Sequence, residues 1–60
     1  MHYRFYVLDR VGAFVDVADA LCADDDEARR HAEDRLGRAP AIQVWQRGRF
    51  VGQIGHGLAA

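Results

Sequence analysis

Three groups of residues in this chain could do chemistry. The first is the acidic run Asp24-Asp25-Asp26-Glu27, which offers the hard oxygen ligands that Mg²⁺ and Ca²⁺ take. It lacks the glycine-bearing loop and terminal glutamate of an EF-hand, and no distant acids match it. Capping and dipole compensation at a helix start explain it with fewer assumptions. The second group is His2, His31, His56 and Cys22, which together hold the donor atoms of a zinc site. None of them has the paired spacing such a site uses, so no metal is expected. Cys22, just before a helix start, could gain thiolate character there, but with no base placed beside it a buried structural thiol is the expectation.

The third group is Arg4, Arg47 and Arg49, interleaved with Tyr6 and Trp45. Sheets that bind single-stranded nucleic acid use such a set, with rings to stack on bases and guanidiniums to meet phosphates. Against that reading stand a net charge of -1, basic residues that are all arginine, and no RNP-like glycine-aromatic motif. A nucleic-acid-binding or regulatory module using Arg47 and Arg49 is therefore the alternative reading. Nucleophile elbows, phosphate-cradling glycine loops and paired zinc-protease histidines are all absent from the sequence. The expectation is a non-enzymatic protein with no catalytic residues and no cofactor.

The elements that must position these groups read clearly. Residues 2–8, rich in aromatic and branched side chains, form a strand that enters a turn at Asp9-Arg10-Val11-Gly12. Residues 13–18 read as its short antiparallel partner near a sheet edge. Asp24 and Glu27 resemble a capping box that starts a helix, and Gly37, with Pro40 beyond it, ends that helix after Leu36. Ala28, Ala32 and Leu36 recur every four residues as its only apolar stripe. The other faces pair Asp25 with Arg29, Asp26 with Arg30 and Asp34 with Arg38, each pair contributing about 0.2–0.5 kcal/mol. Residues 41–46 and 49–54 are two more strands joined across Arg47-Gly48. Residues 55–60 read as a flexible tail.

The order β-β-α-β-β predicts an α+β fold: one four-stranded antiparallel sheet in spatial order 2-1-3-4, with one helix on one face. It would set the acidic helix start at the same end as Arg47 and Arg49. The whole chain of 60 residues reads as a single domain. With half its residues hydrophobic and 28% charged, it should fold, yet a domain this small buries only about 60% of its unfolded surface. One cysteine cannot form an internal disulfide, and no apolar run approaches the roughly 20 residues of a membrane span. These features predict a cytoplasmic protein with no membrane partner.

Alternation along the first strand puts Tyr3, Phe5 and Val7 on one face and Arg4, Tyr6 and Leu8 on the other, while Trp45 opposes Ile42 and Val44. One helix with an alanine stripe cannot cover both apolar faces. A homodimer, joined through the helix-free sheet face or a strand edge, is the expected remedy, with Tyr6, Leu8 and Trp45 as its interface. An unidentified protein partner would meet the same need.

Tyr3-Arg4-Phe5-Tyr6-Val7-Leu8-Asp9, Gly12, Cys22-Ala23-Asp24-Asp25, Ala28, Ala32 and Val44-Trp45-Gln46 with Arg49 and Val51 resemble a family of small uncharacterised alphaproteobacterial proteins. The likeness spans nearly the whole chain and implies no activity for any position. Gln43 stands where an acid is usual, and residues 14–17 leave the register of the second strand open.

Overall fold

The computed structural model describes residues 1–55. Its elements run β1 (His2–Leu8), β2 (Phe14–Leu21), α1 (Asp25–Leu36), β3 (Ala41–Gln46) and β4 (Arg49–Ile54). The strands form one antiparallel sheet in the order β2-β1-β3-β4, with α1 on one face, as the sequence predicts. The part of the expected tail at 56–60 lies outside the described residues. Gly55 sits so close to Pro40 that an added Cβ would meet its carbonyl oxygen at 2.5 Å.

Local chemistry sets the boundaries. The Asp9 carboxylate accepts from the backbone N–H groups of Val11 (3.0 Å) and Ala13 (2.9 Å), closing the first turn, and Gly12 adopts φ 85°. Asp24 caps α1 by accepting from the Glu27 N–H at 2.9 Å. The Glu27 carboxylate reaches back one residue further than the usual box, to the Ala23 N–H. Gly37 ends the helix at φ 52°.

The core lies between α1 and the sheet. Ala28 and Ala32 are fully buried, and their small side chains bring the helix down onto Tyr3, Phe5, Ile42 and Val44, themselves fully buried. Each large side chain so placed contributes about 1.5–3 kcal/mol. The helix packs over β3, β4 and β1 but does not reach β2.

Two expectations need correction. The second strand starts at Phe14 and runs to Leu21, longer than the expected 13–18. Asp16 and Asp19 do not interrupt it, because on an exposed edge both carboxylates stay solvated, and Asp19 pairs with Arg4 across the ladder. The helix pairs Asp25–Arg29, Asp26–Arg30 and Asp34–Arg38 do not form ion pairs. Arg29 instead donates to the Val51 carbonyl at 3.2 Å, and Asp25 faces Arg49.

Candidate functional site

The helix-free face is a shallow basin rather than a flat apolar sheet. Val17, Asp19 and Leu21 of β2 point there, with Phe14 beyond the register slip, together with Arg4 and Tyr6 of β1 and Gln43 and Trp45 of β3. Tyr6 stacks on Phe14 with ring centroids 4.8 Å apart, and Trp45 meets Phe50 edge-on at 5.2 Å. The Trp45 indole N–H donates to the Gln43 side-chain oxygen at 3.2 Å, and the Gln43 amide in turn donates to Gln53 at 3.3 Å. Between these braced rings lies a recess of about 460 Å³, lined by His2, Arg4, Tyr6, Phe14 and Trp45, with Arg47 and Gly48 at its rim.

The three arginines do not act as one set. Arg4 donates through Nε to the Asp19 carboxylate at 3.0 Å, and His2 lies 3.3 Å from the same oxygen. That Arg4 contact holds the Asp19 carboxyl below its ordinary range. Arg49 leaves the basin altogether and grips Asp25 at the start of α1. Arg47 makes no side-chain hydrogen bond or ion pair among the described residues, and it alone of the non-glycine residues has positive φ, at 51°.

The expected interface set is also split. Tyr6 and Trp45 are half-buried and line the recess, but Leu8, at the strand end where it pairs with Phe14 of β2 and Ala41 of β3, is only 1% exposed. Leu8 is therefore not part of an open surface. Alternation along a strand gives a side chain's face and not its burial, and Leu8 is buried where Tyr6 is only partly so.

A second surface is the β2 edge, which α1 stops short of: Phe14 to Val17, Asp19 and Leu21 are exposed, while Ala18 and Ala20 are half-buried and Ala20 packs against the core. Met1 N–H donates to the Cys22 carbonyl at 2.8 Å and Cys22 N–H to the Met1 carbonyl at 2.9 Å, so these two residues form a closely spaced pair of the ladder. Hydrogen-bonded pairs alternate in an antiparallel ladder, so Ala20, Ala18 and Asp16 turn their backbone groups toward β1. Val17, Asp19 and Leu21 turn theirs outward, where the Val17 N–H donates to the neighbouring Asp16 carboxylate at 2.8 Å. Val17 and Leu21 also expose their side chains, by 50% and 80%. The ladder register slips by one between Val7 and Leu8, leaving Val15 unpaired and ending the regular edge at Asp16.

The remaining groups serve the fold. Asp24 and Glu27 cap the helix, Asp25 binds Arg49 and Tyr3, and among the described residues no three His, Cys, Asp or Glu side chains converge. Cys22 is buried, and that burial, followed by the Glu27 carboxylate, pushes its thiol up. His31 packs its ring against Phe5 at 4.9 Å. His56 lies outside the described residues. No described helix is long and apolar enough to cross a membrane.

The sequence reading missed Phe14 and Phe50 as ring partners and missed the length of the β2 edge. The position of Phe14, opposite Leu8 across a slip, could not be read without the register. Comparison of the chain with family models, curated proteins and solved structures returns no match.

Proposed function

We propose that the protein is a small non-enzymatic interaction module whose first partner is a second copy of itself, joined through the β2 edge. The observation that carries this reading is an edge strand of eight residues, Phe14–Leu21, uncovered by the helix and with outward backbone groups at Val17, Asp19 and Leu21. Such an edge templates another strand unless charge, proline or a short length blunts it. The chain blunts it only with Asp16, Asp19 and the slip at Val15.

Those devices also choose a register. Antiparallel pairing about a two-fold axis normal to the sheet keeps each residue opposite one of the same face, so Asp16 cannot oppose Asp19. The slip restricts regular pairing to positions 16–21. An axis through Asp19 would set two carboxylates head to head, which is destabilising. An axis through Ala18 sets Val17 opposite Asp19 of the second copy and Asp16 opposite Ala20, with no like charges facing. Once the exposed Asp16 carboxylate releases the Val17 N–H, the Val17–Asp19 pairs on either side of the axis exchange their backbone hydrogen bonds, giving one continuous sheet with both helices on the same side.

Sedimentation at micromolar concentration, and oxidation of single cysteines introduced into a Cys22→Ala background, test this. Across the axis Ala18 would oppose itself as a non-hydrogen-bonded pair, with Cα atoms about 4.5 Å apart, inside the range a disulfide spans. Ala18→Cys should oxidise to a covalent dimer, while Val17→Cys and Asp19→Cys should not. A monomer at all concentrations would refute self-association. Cross-linking only through Val17→Cys or Asp19→Cys would refute the register.

A further inference from the structure

We propose that the recess on the helix-free face binds a small planar aromatic molecule carrying a single anionic group, a carboxylate or a phosphate. Pairing through the β2 edge leaves this face open, so the site does not depend on self-association.

The recess, about 460 Å³, lies within a usual range of about 300–1,000 Å³, and what sets it apart from a charged depression of equal volume over α1 is its lining by Tyr6, Phe14 and Trp45. Its walls are prepared for a flat ring. Tyr6 is held by Phe14, and Trp45 is held by Phe50 on one side and by the Gln43–Gln53 amide chain on the other. Rings locked in this way offer stacking surface without the entropy loss of ordering them on binding.

The charge of the occupant follows from the arginines. Arg4 is already neutralised by Asp19, so within the recess it braces rather than recruits. Arg47 at the rim has no such partner among the described residues, and a planar guanidinium meets carboxylate or phosphate through paired hydrogen bonds. Of the two arginines that line the recess, Arg47 alone lacks a partner among the described residues, and one such cation, in a chain of net charge -1, suits one negative group and not a polyanion.

The backbone adds an independent reason. The two-residue Arg47-Gly48 loop requires positive φ at its first position, where glycine or asparagine sits comfortably and arginine does not. The chain places glycine second and arginine first, retaining a strained residue whose side chain stands at the rim. Strain of this kind, observed rather than assumed, points to a side chain kept for contact with something else.

Trp45 is the only tryptophan, so its emission reports directly on the recess. Adenosine 5′-monophosphate and 2-naphthoate should each change that emission saturably. Adenosine and inorganic phosphate, each carrying half the chemistry, should bind at least about tenfold more weakly than adenosine 5′-monophosphate. Arg47→Gly relieves the backbone, so it should remain folded and yet lose at least about tenfold in affinity for both anions. No saturable response to either anion, or equal affinity in Arg47→Gly, would overturn the proposal. Oligothymidylate binding far more tightly than the mononucleotide, with steep salt dependence, would overturn it in favour of a nucleic-acid strand.

Discussion

Arg49 on β4 holds Asp25 in the first turn of α1 with a two-pronged bridge, Nη1 to Oδ2 at 3.2 Å and Nη2 to Oδ1 at 2.9 Å. The hydroxyl of the buried Tyr3 donates to the same Oδ1 at 2.7 Å. Three elements, β1, α1 and β4, thus meet at one carboxylate, which fixes where the helix begins over the sheet. Arg49 is anchored further by the Gln46 side-chain oxygen at 2.7 Å.

This meeting point gives the fold an acid limb. Arg49, then Tyr3, lowers the Asp25 pKa below its ordinary 3.8. A carboxyl whose folded pKa is depressed contributes stability that is present above the unfolded value and is lost as pH falls through the folded one. Thermal melts should therefore fall in midpoint below about pH 4, and Asp25→Asn should flatten that fall while lowering the midpoint at neutral pH. An unchanged acid limb in Asp25→Asn would show that other carboxyls govern it.

The same contact sets an alkaline limb. Burial, then the Asp25 carboxylate, raises the Tyr3 pKa from 10.0 to about 12. Here the neutral phenol is the favoured form, so its contribution is complete below the unfolded value of 10.0 and is lost as pH rises toward about 12. Tyr3→Phe keeps the ring buried but cannot ionise. Its midpoint should sit below wild type at neutral pH and decline less steeply between pH 10 and 12, as followed by circular dichroism.

Arg47 carries a conformational cost that substitution should recover. An L-residue in the left-handed region costs about 1–2 kcal/mol relative to glycine, partly offset because glycine also loosens the unfolded chain. Arg47→Gly should therefore stabilise by up to about 1 kcal/mol, a rise of several degrees in midpoint for a domain of this size. A loss of stability would mean that the Arg47 side chain supports the fold itself.

Much of the architecture was legible because its signals are local. Asp24, Glu27, Gly37 and Gly12 mark ends that depend only on neighbours, and the strand order follows from a helix that must cross β1 to place β3 beside it. The surface was less legible. Leu8 has the same alternation as Tyr6 yet is buried, and Arg49 has the same alternation as Arg47 yet belongs to Asp25 on the other side. Both outcomes depend on which residue a strand neighbour places opposite, and the slips beside Val15 and Val51 shift that placement by one. The expected Asp25–Arg29 pair failed for a related reason: the sheet supplies Arg49 to Asp25 and the Val51 carbonyl to Arg29.

Val17 provides the most discriminating test of the proposed edge. With the two-fold axis through Ala18, Val17 stands opposite Asp19 of the second copy on the helix-free face. Val17→Lys would then set a cation against that carboxylate twice, and each cross-strand pair of opposite charge contributes roughly 0.2–1 kcal/mol. Val17→Asp would set like charges together twice and weaken the assembly by a similar amount. An axis through Val17 itself reverses the first outcome, because the two lysines would then face each other. The side chain is half exposed in the single chain, so neither change disturbs the core. Dimer affinity from sedimentation should rank Val17→Lys above wild type and wild type above Val17→Asp. Equal weakening by both would place the axis at Val17, and no effect from either would remove β2 from the interface.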